Sequence, residues 1–453
     1  MFAPQIRISL DRDDALPNLR EPRMPRSPFP LSDILSRLPA ALAIRRIPRQ
    51  EAHGNAPGAS LHVGADWPRP QECLSISVRT ESEEDAACHA LQEEGQFLAR
   101  QERWQELSDR LAAADASGRS TPGGMPETEL LAYGARADVV NAVEHALGEG
   151  APWNQRQLVD GIMALEAIRR DHRSDPYLTA LIACAHIDIG WLWRGPGLEE
   201  TASRAHLRRC AAHFERAAAL LSKVSGLGQD SAFLAAADCS LFSARQGDTL
   251  QVADAYSRLI DLAPRNHRPM RALGVQMLPR CSGSYNALEL EARRTAARTQ
   301  KTWGAGAYSW VYFDALATDP EVSAHVDTRF FIDGLRDILL HVPTQAMANL
   351  LSAYCAVALG GAQMNGRPAS TPREEIATAA EWLIRDHLRE VHPLIWAHAA
   401  QGFDNNARVK SLRRFSARGQ AQATEFIAQI FREELSRGQK IAISPDGLHM
   451  SAG

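Results

Sequence analysis

At 453 residues the chain exceeds the roughly 100–200 residues of one ordinary globular domain, and its 45% hydrophobic content is enough for a large core. A formal net charge of -4 gives no global push towards nucleic acid, which a basic domain or face would supply. Seven cysteines with no C-x-x-C pair argue against a disulfide framework and for a reducing compartment.

Residues 1–82 stand apart in composition. Prolines recur from Pro4 to Pro70, and each removes a donor and restrains its predecessor, so long helices are excluded. A Pro-rich, partly ordered N-terminal region is expected, with one short helix at Ser32 to Leu38 and strand-like alternation from Leu74 to Val78. The start of the chain lacks the apolar stretch of a secretory signal. No run approaches the ~18 apolar residues of a membrane helix. A cytoplasmic setting without a membrane partner is therefore expected.

Helical periodicity begins near Glu83. An N-terminal helical segment (83–150) is expected to hold Glu84 to Arg100, Arg103 to Ala113 and Glu127 to Leu147. A larger helical domain (151–435) follows, with apolar stripes over Gln155 to Arg170, Pro176 to Trp193, Glu199 to Leu221, Asp230 to Arg245 and Leu250 to Leu262. A second helix of this last pair ends at Leu278-Pro279-Arg280, and a third follows a Gly-Ser corner. Further stripes cover Thr328 to His341 and Thr344 to Leu359. Thr371-Pro372-Arg373-Glu374 starts a helix that runs to about Leu388, with Glu374 able to reach back to the Thr371 amide. Pro393 to Ala400, Asn406 to Phe415 and Gln420 to Leu435 complete the helical part, and the tail from Ser436 (436–453) is expected to fray. The connections are short, so neighbours should be antiparallel.

Tyr256, Leu259 and Pro264, followed by Leu273-Gly274, fall at the spacing of a tetratricopeptide repeat and the start of the next. The stretch resembles a degenerate tetratricopeptide-like repeat, with Val252 where Ala is usual and a bulky Leu259 where a small residue is usual. The words AHIDIGWLWRG (Ala185 to Gly195), MLPRCSGSYNALELEARR (Met277 to Arg294) and TWGAGAYSW (Thr302 to Trp310) are similar to those of an uncharacterised bacterial domain-of-unknown-function family of helical proteins. The resemblance implies an all-α fold, an α-solenoid of antiparallel helix pairs, and assigns no residue roles.

No residue pattern is a convincing catalytic signature. His186, Gly190 and Arg194 share one helix face, whereas His186 and Asp188, two residues apart, do not. This face offers a pocket at a helix junction for an enzyme or small-molecule sensor, with Arg194 able to grip a carboxylate. Gly304-Ala305-Gly306 lacks the third glycine and downstream acid of a dinucleotide motif, so no cofactor is expected. Cys281 would need a His base nearby, and His267 is the closest in sequence. His387, His392 and His398 have no metal-ligand spacing, so no metal is expected. Arg408, Lys410, Arg413, Arg414 and Arg418 form the one dense basic run, a solvated face or a weak nucleic-acid patch.

Stacked helix pairs leave a concave face used for recognition. The leading expectation is a binding scaffold for a protein or peptide partner, anchored by Arg194, Arg280, Trp303, Tyr308 and Trp310. A sealed polar chamber among the helices would instead favour the sensor or enzyme reading.

Overall fold

Several helix starts carry side-chain caps. The computed structural model describes residues 73–148, 156–195, 204–226, 230–243, 247–281, 283–360, 369–401 and 412–452. After a strand β1 (Leu74–Ile76), helix α1 (Glu83–Arg100) opens on a capping box. The Ser82 hydroxyl accepts from the Asp85 amide at 3.1 Å, and the Asp85 carboxylate accepts from the Ser82 amide at 2.8 Å. The N-terminal half continues with α2 (Trp104–Ser117), α3 (Glu127–Gly148), α4 (Asp160–Asp171), α5 (Pro176–Arg194), α6 (Arg204–Leu221) and α7 (Ala232–Ser240). The middle holds α8 (Thr249–Leu262), α9 (Arg268–Gln276), α10 (Tyr285–Arg298), α11 (Gln300–Trp303), α12 (Gly306–Thr318) and α13 (Thr328–His341).

Next comes α14 (Gln345–Ala353), running into a π turn over Tyr354–Ala358. Short helices α15 (Pro372–Ala377) and α16 (Ala380–Trp382) lead into a second π turn over Leu383–His387. The chain then forms α17 (Pro393–Gln401), α18 (Leu412–Ile430), α19 (Arg432–Ser436) and strands β2 (Gln439–Ser444) and β3 (Gly447–Ala452). The described chain is thus mainly helical, and no described helix is long and apolar enough to cross a membrane. The expected Ser32 to Leu38 helix, Arg408 and Lys410 lie outside the described residues.

Three expectations are corrected. The tail beyond Ser436 is not frayed but forms an antiparallel hairpin, and β1 adds to it in parallel with Leu74 opposite Ile441 and Ile76 opposite Ile443. Ile441 and Ile443 alternate inward and are buried, which gives the hairpin its apolar face. Glu374 reaches back one residue further than expected: its carboxylate accepts from the Ser370 amide at 2.7 Å, while Thr371 caps the helix. Gly419 does not interrupt α18. A Cβ there would collide with the Pro393 carbonyl oxygen, so glycine lets α17 and α18 touch backbone to backbone.

Two helices are buried all round and lie innermost. Residues 178–191 of α5 are all buried, and α5 packs against α2, α3, α4, α6 and α7. In α12 every residue from Gly306 to Leu316 is buried, with α9, α10 and α13 around it. One apolar cluster runs from Leu98 to Ala237 across residue 150, and another from Ala235 to Ile443 with Leu74 of β1. Helix α7 contributes to both, Phe233, Leu234 and Ala237 to the first, Ala235 and Cys239 to the second.

Candidate functional site

The junction of these two clusters is polar. The turn from Gly118 to Pro126 reaches the α8–α9 connection, where a Cβ on Gly124 would stand 2.9 Å from the Arg265 carbonyl oxygen. This contact sets the turn ahead of α3 against the turn ahead of α9, whose start holds His267 and Arg268. Arg268 is the first residue of α9; the N-cap residue His267 gives no side-chain cap, and Asn266 Oδ1 accepts from the Arg268 amide at 3.2 Å. A cation at a helix N-terminus runs against the backbone dipole.

The Arg268 head is sealed from solvent, and neither Nη1 nor Nη2 has a hydrogen-bond partner. Burial lowers its pKa to about 10, opposed by the charges of Glu129 and Cys88. Beside it His267 is buried with Nδ1 unpartnered. Burial, then Arg271 and Arg268, hold His267 well below its ordinary range, so it is neutral. Its ring stacks on Trp310 at 4.1 Å, and the Trp310 Nε1 donor is also unpartnered. Glu129 forms no hydrogen bond or ion pair among the described residues. Burial raises its pKa against the charges of Arg268 and Arg136.

The surrounding charges are committed elsewhere. Arg136 donates from Nε to Asp188 at 2.7 Å, with both side chains buried. Arg271 clamps Asp314 with two bonds, at 2.9 and 2.6 Å. Glu84 accepts from the Thr121 hydroxyl at 2.7 Å and the Gly123 amide at 2.6 Å. A buried donor without an acceptor costs about 1–3 kcal/mol, more when charged. Arg268 and Trp310 gather several such donors at one helix start, with the unpartnered Nδ1 of His267 beside them.

A second polar cluster joins α4, α5 and α6. Glu166 accepts from Arg216 at 2.6 and 2.7 Å, and from Arg169 at 3.0 Å. Burial pushes the Glu166 carboxyl up, but these arginines outweigh it and hold it down at about 2. His186 Nε2 lies 3.2 Å from Glu166, and His186 Nδ1 lies 2.9 Å from His213 Nδ1. An ionised Glu166 accepts only, so Nε2 of His186 carries the proton and His186 Nδ1 accepts from Nδ1–H of His213. Burial, then His186 and Arg209, lower His213 to about 4.

The expected site residues fare differently. Trp303, Tyr308 and Trp310 are core residues, 3%, 0% and 0% exposed, so they line no open groove. Their rings fill the space around α12 because Gly304 and Gly306 let α13 approach closely. Trp303 donates to the Pro264 carbonyl at 2.6 Å, and Tyr308 to Glu289 at 2.7 Å. Arg280 donates to the Thr318 hydroxyl at 3.1 Å, with Nε and Nη1 buried and unpartnered. Arg194 lies over the Trp191 ring at 5.1 Å. His186 belongs to the second cluster, and Gly190 sits under the Phe214 ring. His267 stacks on Trp310. Arg413, Arg414 and Arg418 are exposed on α18.

Sequence reasoning missed Glu129, Arg136 and Arg268. One signal was available for Arg268: an arginine directly ahead of the proline that opens a helix stands where an acid is favoured. Comparison with known proteins adds nothing to this geometry, since no family model, curated protein or solved structure matches the chain.

Proposed function

We propose that the chain is a helical-repeat receptor for a small ligand that carries an anionic group, bound at the start of α9 where it packs on α12. The observation behind this reading is the sealed Arg268 head, with both terminal nitrogens unpartnered at the N-terminus of α9. A helix start favours an anion by its dipole, and a guanidinium supplies a fork that matches a carboxylate or phosphate. Neutral His267 and Trp310 add further polar atoms. In this reading the finer architecture is a stack of antiparallel helix pairs, tetratricopeptide-like around Tyr256 to Gly274, that closes on a polar junction. The scaffold alternative loses the aromatic anchors assigned to it, because those rings are buried.

Thermal unfolding of the full chain against acetate, orthophosphate and sulfate tests the reading. A ligand that binds only the folded chain stabilises it by about 2.7 kcal/mol at a hundredfold excess over Kd, and so raises the melting temperature with concentration. Arg268→Lys keeps the charge and loses the fork, and its response should fall at least about tenfold in concentration. Equal responses from the wild type and R268K would remove Arg268 as the anion site.

A further inference from the structure

The terminal nitrogens of Arg268 are sealed from solvent, so an anion reaches them only if something near the start of α9 gives way. The helices there are fixed. Met270 and Leu273 are buried, and at Gly274 the backbone of α9 lies against Val311 of α12. The turn from Gly118 to Pro126 is the opposite case. It buries only Thr121 and Met125. It is braced within itself, the Thr121 amide donating to the Met125 carbonyl at 2.8 Å and the Gly124 amide to the Thr121 carbonyl at 2.9 Å.

Two contacts fasten this turn. On one side the Glu84 carboxylate of α1 accepts from the Thr121 hydroxyl at 2.7 Å, the Gly123 amide at 2.6 Å and the Cys88 thiol at 3.2 Å. On the other, Gly124 lies against the Arg265 carbonyl of the α8–α9 connection. That connection sets the start of α9. The Asn266 amide donates to the Ala263 carbonyl at 3.0 Å, the Arg268 amide to Asn266 Oδ1 at 3.2 Å and the Arg271 amide to the His267 carbonyl at 3.2 Å. A continuous run of contacts thus joins Glu84 to the backbone of Arg268. We infer that the Gly118–Pro126 turn is a strap across the α8–α9 connection, that Glu84 is its latch, and that the strap lifts to admit an anion to Arg268. The inference rests on the reading of Arg268 as an anion site and adds the way in. Glu84 is a positioning residue in this scheme and touches no ligand.

Hydrogen exchange of the full chain without ligand, followed by mass spectrometry, tests the strap. Glu84→Gln replaces one acceptor oxygen by a donor, so Thr121 or Gly123 loses its partner. Exchange at Thr121, Gly124 and Met125 should quicken about tenfold, as expected for a lost bond to a charged acceptor. Asn266, Arg268 and Arg271 should quicken with them, while α12 and α18 keep their rates. Gly124→Ala should quicken the second group with the latch intact, because its Cβ pushes the strap off Arg265. Thr121→Val removes one donor from the other side of the latch and replaces E84Q if that variant unfolds. Stopped-flow mixing with sulfate, read by tryptophan fluorescence, should show association about tenfold faster in the variants. If the turn loosens while the start of α9 keeps its rate, or association is no faster, the strap is wrong and the anion site stands. If calorimetry shows that the wild type binds neither sulfate nor orthophosphate, the anion site falls and its gate with it.

Discussion

The His186–His213 contact holds at most one added proton. With Nε2–H of His186 on Glu166 and Nδ1–H of His213 on His186, the free lone pair is Nε2 of His213. Burial keeps that site near 4, below the ordinary value of 6.5. Between these two values the unfolded chain binds more protons than the folded one, so stability rises with pH. The contribution is complete above about pH 6.5 and is lost as pH falls towards 4, with a limiting slope of about 1.4 kcal/mol per pH unit. Denaturant melts of the wild type from pH 7 to 5 should show this loss. His213→Gln, which still donates to His186, should flatten the profile, and identical slopes would exclude His213 as the source. The sequence placed His186, Gly190 and Arg194 on one face correctly. It could not supply Glu166 and His213, which come from neighbouring helices and obey no local spacing. Arg136 and Asp188 illustrate the same limit, since a buried pair 52 positions apart becomes visible only once α3 packs on α5.

Helices were readable because each carries its own period and caps; their contacts were readable only where a glycine marked them. Gly274 of the Leu273-Gly274 pair is such a mark. A Cβ there would collide with the Val311 carbonyl oxygen, so α9 and α12 touch backbone to backbone. Gly274→Ala gains helix propensity locally but forces the two helices apart. It should cost about 1–3 kcal/mol, as overpacking does, read as a lower urea midpoint at unchanged slope. The same substitution at Gly226, with open space around it, is the control and should leave the midpoint within about 0.5 kcal/mol. The C-terminal hairpin was missed because its pairing partner β1 lies more than 350 positions upstream in a Pro-rich region. Period-2 alternation over Ile441 and Ile443 was present, but a two-stranded hairpin has no stability alone. Ile441→Asp puts a charge beneath β1 and α19. It should cost several kcal/mol, more than an equivalent change at the exposed Met450 of β3. Equal costs at the two positions would mean that the hairpin is ornamental.

At the scale of the molecule, an open stack of helix pairs would keep its ends apart, whereas here the first and last described strands share one sheet. Val78 also pairs with Val391, and Arg79 bonds Glu390 at 3.1 Å, so the segment before α1 is fastened to the C-terminal helices. The N-terminal cluster is therefore tied to the C-terminal one twice, through α7 and through β1, with the polar junction between them. Unpaired charge there opposes closure, so the two clusters should be less strongly coupled than each is internally. Hydrogen exchange followed by mass spectrometry can read this coupling. The amides of α5 and α12, buried all round, should exchange slowest with or without ligand. Saturation with the anion that binds best should slow exchange in the first turn of α9, and leave the β2–β3 hairpin unchanged. Uniform protection of the whole chain would mean general stabilisation, and the junction would then be a structural seam with no role in recognition.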